Sequence, residues 1–136
     1  MKAVIDTNCL VSSISPRSPH YWLYQAFKSE SFEWVVSNEI LIEYEEIISS
    51  RYSPKAANLV LSIIMVAPNV IFQSPYYRWQ LIQNEPEDNK FVDAYVSAGA
   101  DYLVTQDSDF NILKSIEFPS IKVLTLMEFR EIIFSR

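Results

Sequence analysis

One glycine, one histidine and one cysteine occur in the 136 residues of this chain. These scarcities exclude more chemistry than any single motif could. A dinucleotide fingerprint or a P-loop needs several glycines, a zinc finger needs grouped Cys and His, and a HExxH metalloprotease helix needs two His. None can be built from Gly99, His20 and Cys9. Triads of the Ser-His-Asp or Cys-His kind pass the count but fit poorly. His20 lies in Ser18-Pro19-His20-Tyr21, which reads as a helix start, where a lone imidazole is a solvated or capping group. Cys9 has no second cysteine to pair with and sits in an apolar stretch as a small hydrophobe, so the expected compartment is cytoplasmic.

Long apolar runs and a basic surplus are also missing. The longest apolar stretch, around Leu59 to Pro68, is too short for a bilayer, and Met1-Lys2 leads at once into Ala3-Val4-Ile5-Asp6 without a signal-peptide pattern. A soluble chain with no membrane partner is expected. Lys and Arg number 11 against 17 Asp and Glu, giving a formal charge of -6. Bulk charge therefore opposes non-specific nucleic-acid binding, and an acidic enzyme of nucleic acids would need metal ions to bridge the repulsion.

The apolar fraction of 49% and aromatic fraction of 14% suffice for one core, and no linker or repeat divides residues 1–136, so a single domain is expected. Short β-rich runs alternate with longer helical ones. Strands are predicted at Lys2–Ile5, Trp34–Val36, Asn69–Phe72, Tyr102–Thr105 and Ile121–Leu124. Helices are predicted from about Pro19 to Ser29, Asn38 to Ser50 behind a Ser37 cap, Pro54 to Pro68, Asp88 to Ala98, and Met127 to Phe134. The segment Ser74 to Asn84 has no assignable pattern. Short apolar strands separated by helices predict an α/β fold, with a mainly parallel sheet of about five strands covered on both faces.

In such sheets ligands bind beyond the carboxyl ends of the strands, and acids stand at those positions. Asp6 follows the first strand and Asp107 the fourth, while Glu43 and Asp88 can reach the same edge from helices. At about 100° per residue, Phe91, Val92, Tyr95, Val96 and Ala98 surround the direction of Asp88, so Asp88 is expected to face inward and Asp93 outward. Glu43 and Glu45 flank the stripe Ile40, Leu41, Tyr44, Ile47 and Ile48 on opposite sides, and periodicity does not choose between them. Taken singly, each acid also reads as a cap, a turn residue or a helix-surface group. Together, converging carboxylates raise one another's pKa and stay ionised only with a cation, for which Mg²⁺ or Mn²⁺ with all-oxygen coordination is the natural choice. Such an ion lowers the pKa of bound water and neutralises a phosphodiester, and a second ion about 3.5–4 Å away would steady the leaving oxygen. That chemistry needs no His.

Four spaced segments carry a family resemblance: Val4-Ile5-Asp6-Thr7-Asn8; Ser37-Asn38-Glu39-Ile40-Leu41-Ile42-Glu43-Tyr44; Pro86-Glu87-Asp88-Asn89-Lys90-Phe91; and Ala100 through Phe110, containing Thr105-Gln106-Asp107-Ser108-Asp109. In this order they resemble the PIN domains, and within them the VapC-like toxin components of toxin–antitoxin systems. The resemblance spans almost the whole chain and implies a three-layer α/β/α fold. It places the family's acidic quartet on Asp6, Glu43, Asp88 and Asp107, with Asp109 as a fifth ligand, and so selects Glu43 over Glu45. It further implies supporting roles for Asn8 and Thr105, and a Mg²⁺- or Mn²⁺-dependent endoribonuclease that is dimeric and held inactive by an antitoxin.

On this reading Asp6 and Asp107 ligate the principal ion, while Glu43 and Asp88 hold it through water or complete a second site. Contacts to the RNA backbone are expected from Arg17, Arg51, Lys90 and Lys114, which lie in loops or near helix ends. Tyr76, Tyr77 and Trp79, in the Tyr76 to Leu81 stretch, mark the expected self-association surface. Two alternatives compete with the enzyme. One is a catalytically silent nucleic-acid or protein-binding module on the same fold. The other is an aspartyl-nucleophile phosphatase, disfavoured because Asn8 stands where such enzymes carry a second Asp.

Overall fold

The tetrapeptide Lys2–Ile5 forms β1, the central strand of a five-stranded sheet in the computed structural model, which describes residues 1–135. Ala3, Val4 and Ile5 are all fully buried. Successive strand residues face opposite sides of a sheet, so both faces at β1 are covered. That is why the run is continuously apolar rather than alternating. The other strands are β2 (Glu33–Val36), β3 (Val70–Phe72), β4 (Tyr102–Val104) and β5 (Val123–Leu124), in the order β3-β2-β1-β4-β5 with every pairing parallel. Six α-helices connect or follow them: α1 (Thr7–Ser13), α2 (Tyr21–Lys28), α3 (Asn38–Arg51), α4 (Pro54–Val66), α5 (Asn89–Ala98) and α6 (Leu126–Phe134).

The strand order determines where a ligand can bind. From β1 the chain builds outward through β2 and β3 on one side, then crosses to β4 and β5 on the other. The topological switch point therefore lies between β1 and β4, where loops leave in opposite directions and open a crevice. Asp6 follows β1 there, and its amide donates to the carbonyl of Val104 at the end of β4, 2.9 Å away.

Local signals fix the helix ends. Ser37 caps α3 by accepting from the Ile40 amide at 3.2 Å, Ser53 caps α4 with Pro54 in its first turn, and Thr125 and Glu128 form a reciprocal capping box on α6. Gly99 ends α5 with φ of 62°, a left-handed conformation that favours glycine. An aromatic group of Phe27, Phe32, Trp34 and Phe129 fills the core between α2, β2 and α6. At its border the fully buried Tyr44 of α3 accepts from Trp34 Nε1 at 3.2 Å and donates to the Ile5 carbonyl at 2.6 Å. α3 is thereby tied to the last residue of β1.

The structure departs from the sequence reading in four places. Residues Thr7–Ser13, to which the sequence reading assigned no element, form α1, whose seven residues are too few to show a helical period. A single 3-10 turn, Pro86–Asp88, precedes α5, so the helix starts one residue after Asp88. Another 3-10 stretch, Ser108–Ser115, joins β4 to β5. Asp93, expected to face solvent, is only 3% exposed. The irregular strap of residues 73–84 folds over that side of α5, and the Trp79 amide donates to Asp93 Oδ1 at 3.0 Å. Helical periodicity cannot register a cover that has no period itself.

The Tyr44 bridge generates the first prediction. Tyr44→Phe leaves the Ile5 carbonyl and Trp34 Nε1 without their buried partner, and should lower unfolding free energy by about 1–3 kcal/mol in a denaturant titration. An unchanged midpoint would remove this link from the account.

Candidate functional site

Asp6 sits where β1 turns into α1 and is 5% exposed. The turn is an N-cap: the Thr7 amide donates to Asp6 Oδ1 at 2.8 Å. The hydroxyl of Thr105, at the end of β4, donates to Asp6 Oδ2 at 2.8 Å and accepts from the Asp107 amide at 3.0 Å. Asp107 in turn accepts from the Asp109 amide at 2.9 Å, which curls the chain into the 3-10 stretch. Two threonines thus lock Asp6 and orient the loop carrying Asp107 and Asp109.

Three carboxylates meet closely. Oxygens of Asp88, Asp107 and Asp109 all lie within 4.8 Å of one another, and each of these residues is half-buried. Asp88 makes no capping bond to α5, so its carboxylate is not spent on the helix. Asp88 thus stands at the N-cap position of α5 without acting as a side-chain cap. Glu43 approaches from α3 with both oxygens engaged: Oε2 accepts from Thr7 Oγ1, and Oε1 accepts from Lys90 Nζ at 2.9 Å. Glu45, its rival on the helix, is exposed.

The electrostatics follow from this crowding. Burial pushes the Asp6 carboxyl up to about 6, against the opposing effect of the Thr105 and Thr7 hydrogen bonds, with the charges of Glu43 and Asp107 adding to the rise. Burial likewise lifts Asp88 to about 7, reinforced by Asp6, Asp107, Glu43 and Asp109. Lys90 is partly desolvated, but its pairs with Glu43 and Glu87 outweigh that and hold its ammonium above the usual lysine range.

Among the expected substrate contacts, Asn8 is exposed and accepts from Arg51 Nη2 at 3.2 Å. Arg17 is exposed in the loop after α1. Thr105 is buried, and its hydroxyl serves Asp6 and the Asp107 amide. Lys90 turns its ammonium to Glu43 and Glu87. Lys114 lines a cleft of about 410 Å³ beside Asp107, together with Gln106, Ser108, Asn111 and Thr125. Sequence reasoning missed the Thr7 hydroxyl and this cleft. Thr7 carried a usable signal, because it starts the segment after Asp6, but only a helix at that point turns its hydroxyl toward α3. The cleft had no signal, since the 3-10 stretch was not anticipated.

The donor set tests which ion could sit here. It consists of carboxylate oxygens from five residues, without imidazole, and the Cys9 thiol is buried with its pKa pushed up by desolvation. Hard divalent cations such as Mg²⁺ and Mn²⁺ match that set, and the raised carboxyl pKa values mark charge in need of a counter-ion. The residues fit the group.

The same shifts carry a signed prediction. Asp6 and Asp88 have folded-state pKa values above the unfolded carboxylate value of 3.8. Their contribution to stability is full below that value and is lost as pH rises through about 6 and about 7. Chelator-treated protein should melt at progressively lower temperature from pH 4 to pH 8, measured by calorimetry, and Asp88→Asn should flatten the decline. A melting temperature that rises over that range would contradict the electrostatic picture.

Comparison with known proteins gives an independent result. Residues 2–109 match the PIN domain family. The VapBC2 structure from Rickettsia felis, bound to a DNA fragment from their promoter, is similar with a TM-score of 0.63 and 17% identity, over 92% of this chain and 98% of that one. VapC20 of Mycobacterium tuberculosis, described as a sarcin-ricin loop cleaving toxin, gives 0.60 and 14%, over 85% and 97%. DNA-bound VapBC from Salmonella typhimurium gives 0.60 and 17%, over 93% and 98%. At these identities the likeness is one of fold. No curated protein matches the sequence.

Proposed function

This chain belongs to the PIN domain family, and on that premise we propose that it is a metal-dependent endoribonuclease, the toxin of a toxin–antitoxin pair. The observation that carries the reading is the meeting of Asp88, Asp107 and Asp109 beside the buried Asp6 at the sheet's switch point. A silent binding module has no need to hold these acids together against their repulsion. The description of VapC20, whose fold is similar, as a sarcin-ricin loop cleaving toxin supports a nuclease toxin.

Asp6, Asp88, Asp107 and Asp109 are the residues assigned to hold Mg²⁺ or Mn²⁺, with Glu43 behind them. When bound, such an ion lowers the pKa of a water nucleophile and offsets charge on the phosphodiester in the transition state. The chain's own groups prepare that step. Thr105 and the Thr7 amide keep the Asp6 carboxylate in one orientation, and the Asp107–Asp109 turn fixes the loop that faces substrate. Asp88, raised by burial and by the acids around it, is where a bound cation would relieve the most repulsion. Lys114 and Asn111 line the cleft beside Asp107 and are suited to the RNA backbone, with the exposed Arg51–Asn8 pair and Arg17 as further contacts. The local basic groups matter because the chain as a whole is acidic.

The partners proposed are RNA and an antitoxin protein, the latter supported by the VapBC complexes of similar fold. A homodimer is proposed through the aromatic ladder Tyr77–Trp79–Phe118, whose rings are 4.7 Å and 5.8 Å apart, with Tyr76 wholly exposed beside it. No described helix is long and apolar enough to cross a membrane. A cytoplasmic location is proposed on the sequence reading alone.

Labelled single-stranded and hairpin RNAs incubated with Mn²⁺, Mg²⁺ or EDTA test the enzyme. Cutting should need the ion, and Asp6→Asn and Asp107→Asn should each reduce it by about 10²-fold or more, as loss of several kcal/mol of charge stabilisation implies. Equal cutting by wild type and both variants would defeat the assignment. Metal-dependent RNA binding without cutting would favour the silent module.

A further inference from the structure

Lys90 extends from the first turn of α5 into the acidic cluster, where its side chain is 10% exposed. Its ammonium donates to Glu43 Oε1 at 2.9 Å and to Glu87 Oε2 at 3.2 Å. The other Glu43 oxygen accepts from Thr7 Oγ1, so neither oxygen is left without a partner inside the protein. The neighbouring trio differs: no salt bridge among the described residues involves Asp88, Asp107 or Asp109. The acids are therefore divided into a carboxylate already served by a protein cation and a group of aspartates that is not.

We propose that the Lys90 ammonium occupies the cation position beside Glu43, so that the site takes one divalent ion, at the aspartates, and Glu43 acts as a positioning residue rather than a ligand. This inference rests on the metal-site reading above and narrows it. A second ion would have to displace an ammonium that is already desolvated and paired, leaving that charge partly buried without its partner. Mg²⁺ also surrenders its waters reluctantly, so it gains little at a carboxylate whose oxygens are both committed. Lys90 is thus a fixed internal counter-charge, and Thr7, on the opposite oxygen, sets the rotation of Glu43.

The test counts bound ions. Protein stripped with EDTA is titrated with Mn²⁺ at pH 7.5, free Mn²⁺ is read from its electron paramagnetic resonance signal, and circular dichroism checks that each variant is folded. Wild type and Lys90→Arg, which keeps the charge, should bind one ion per chain. Lys90→Met, of similar length without the charge, should bind two. Adding Glu43→Gln to Lys90→Met should return the count to one. Two ions on wild type, or one on folded Lys90→Met, would overturn the role of Lys90 while leaving a metal-dependent nuclease intact. Absence of Mn²⁺ binding in every form would overturn both this inference and the metal site on which it rests. Rescue by arginine separates charge from packing, because a purely structural lysine would not alter ion stoichiometry.

Discussion

A carboxylate buried at the end of the central strand constrains much of this structure. Asp6 is almost inaccessible, and burial alone disfavours its charge. The fold answers with two hydrogen bonds from fixed positions, one from the start of α1 and one from the end of β4. Those two partners require β1 and β4 to be adjacent, parallel and in the observed register, with Ile5 beside Val104. The sheet order, the placement of α1 and the geometry of the Asp107 loop can thus be read as consequences of housing one acid.

Like charges then accumulate around it, each raising the energy of its neighbours. Three aspartates remain without a cationic partner among the described residues, while Glu43 is satisfied by Lys90 and Thr7. This partition gives the site two kinds of acid from one residue class. The difference lies in their partners: Glu43 has a protein cation and the aspartates do not. It also explains why a net acidic domain can be proposed to act on an acidic polymer: the charge excess at the site is the binding energy for a cation, and the cation is what meets the phosphate.

Much of the fold was legible in the sequence, because KAVI, EWVV and YLV are short apolar runs separated by segments of clear helical period. The Ser37 cap and the helix start at Pro54 were equally direct. What escaped was whatever lacks a period. α1 is too short, the 3-10 stretch after Asp107 winds at three residues per turn rather than the α-helical period, and the strap over α5 carries no regular structure at all. The burial of Asp93 failed for that last reason. At the site, strand ends located Asp6 and Asp107, but the selection of Glu43 over Glu45 came from family resemblance. The engagement of Lys90 with Glu43, across 47 positions of sequence, could not be read from either. A lysine near a helix start looks like a surface charge until the partner helix is in place.

The central claim is that a hard divalent ion binds among the aspartates at the switch point between β1 and β4. Anomalous diffraction at the manganese edge, from crystals grown with Mn²⁺, tests it most directly. The account predicts a single strong peak within coordinating distance of Asp88, Asp107 and Asp109 on the side facing Asp6. A peak elsewhere, or none at that position in protein that still cuts RNA, would contradict it.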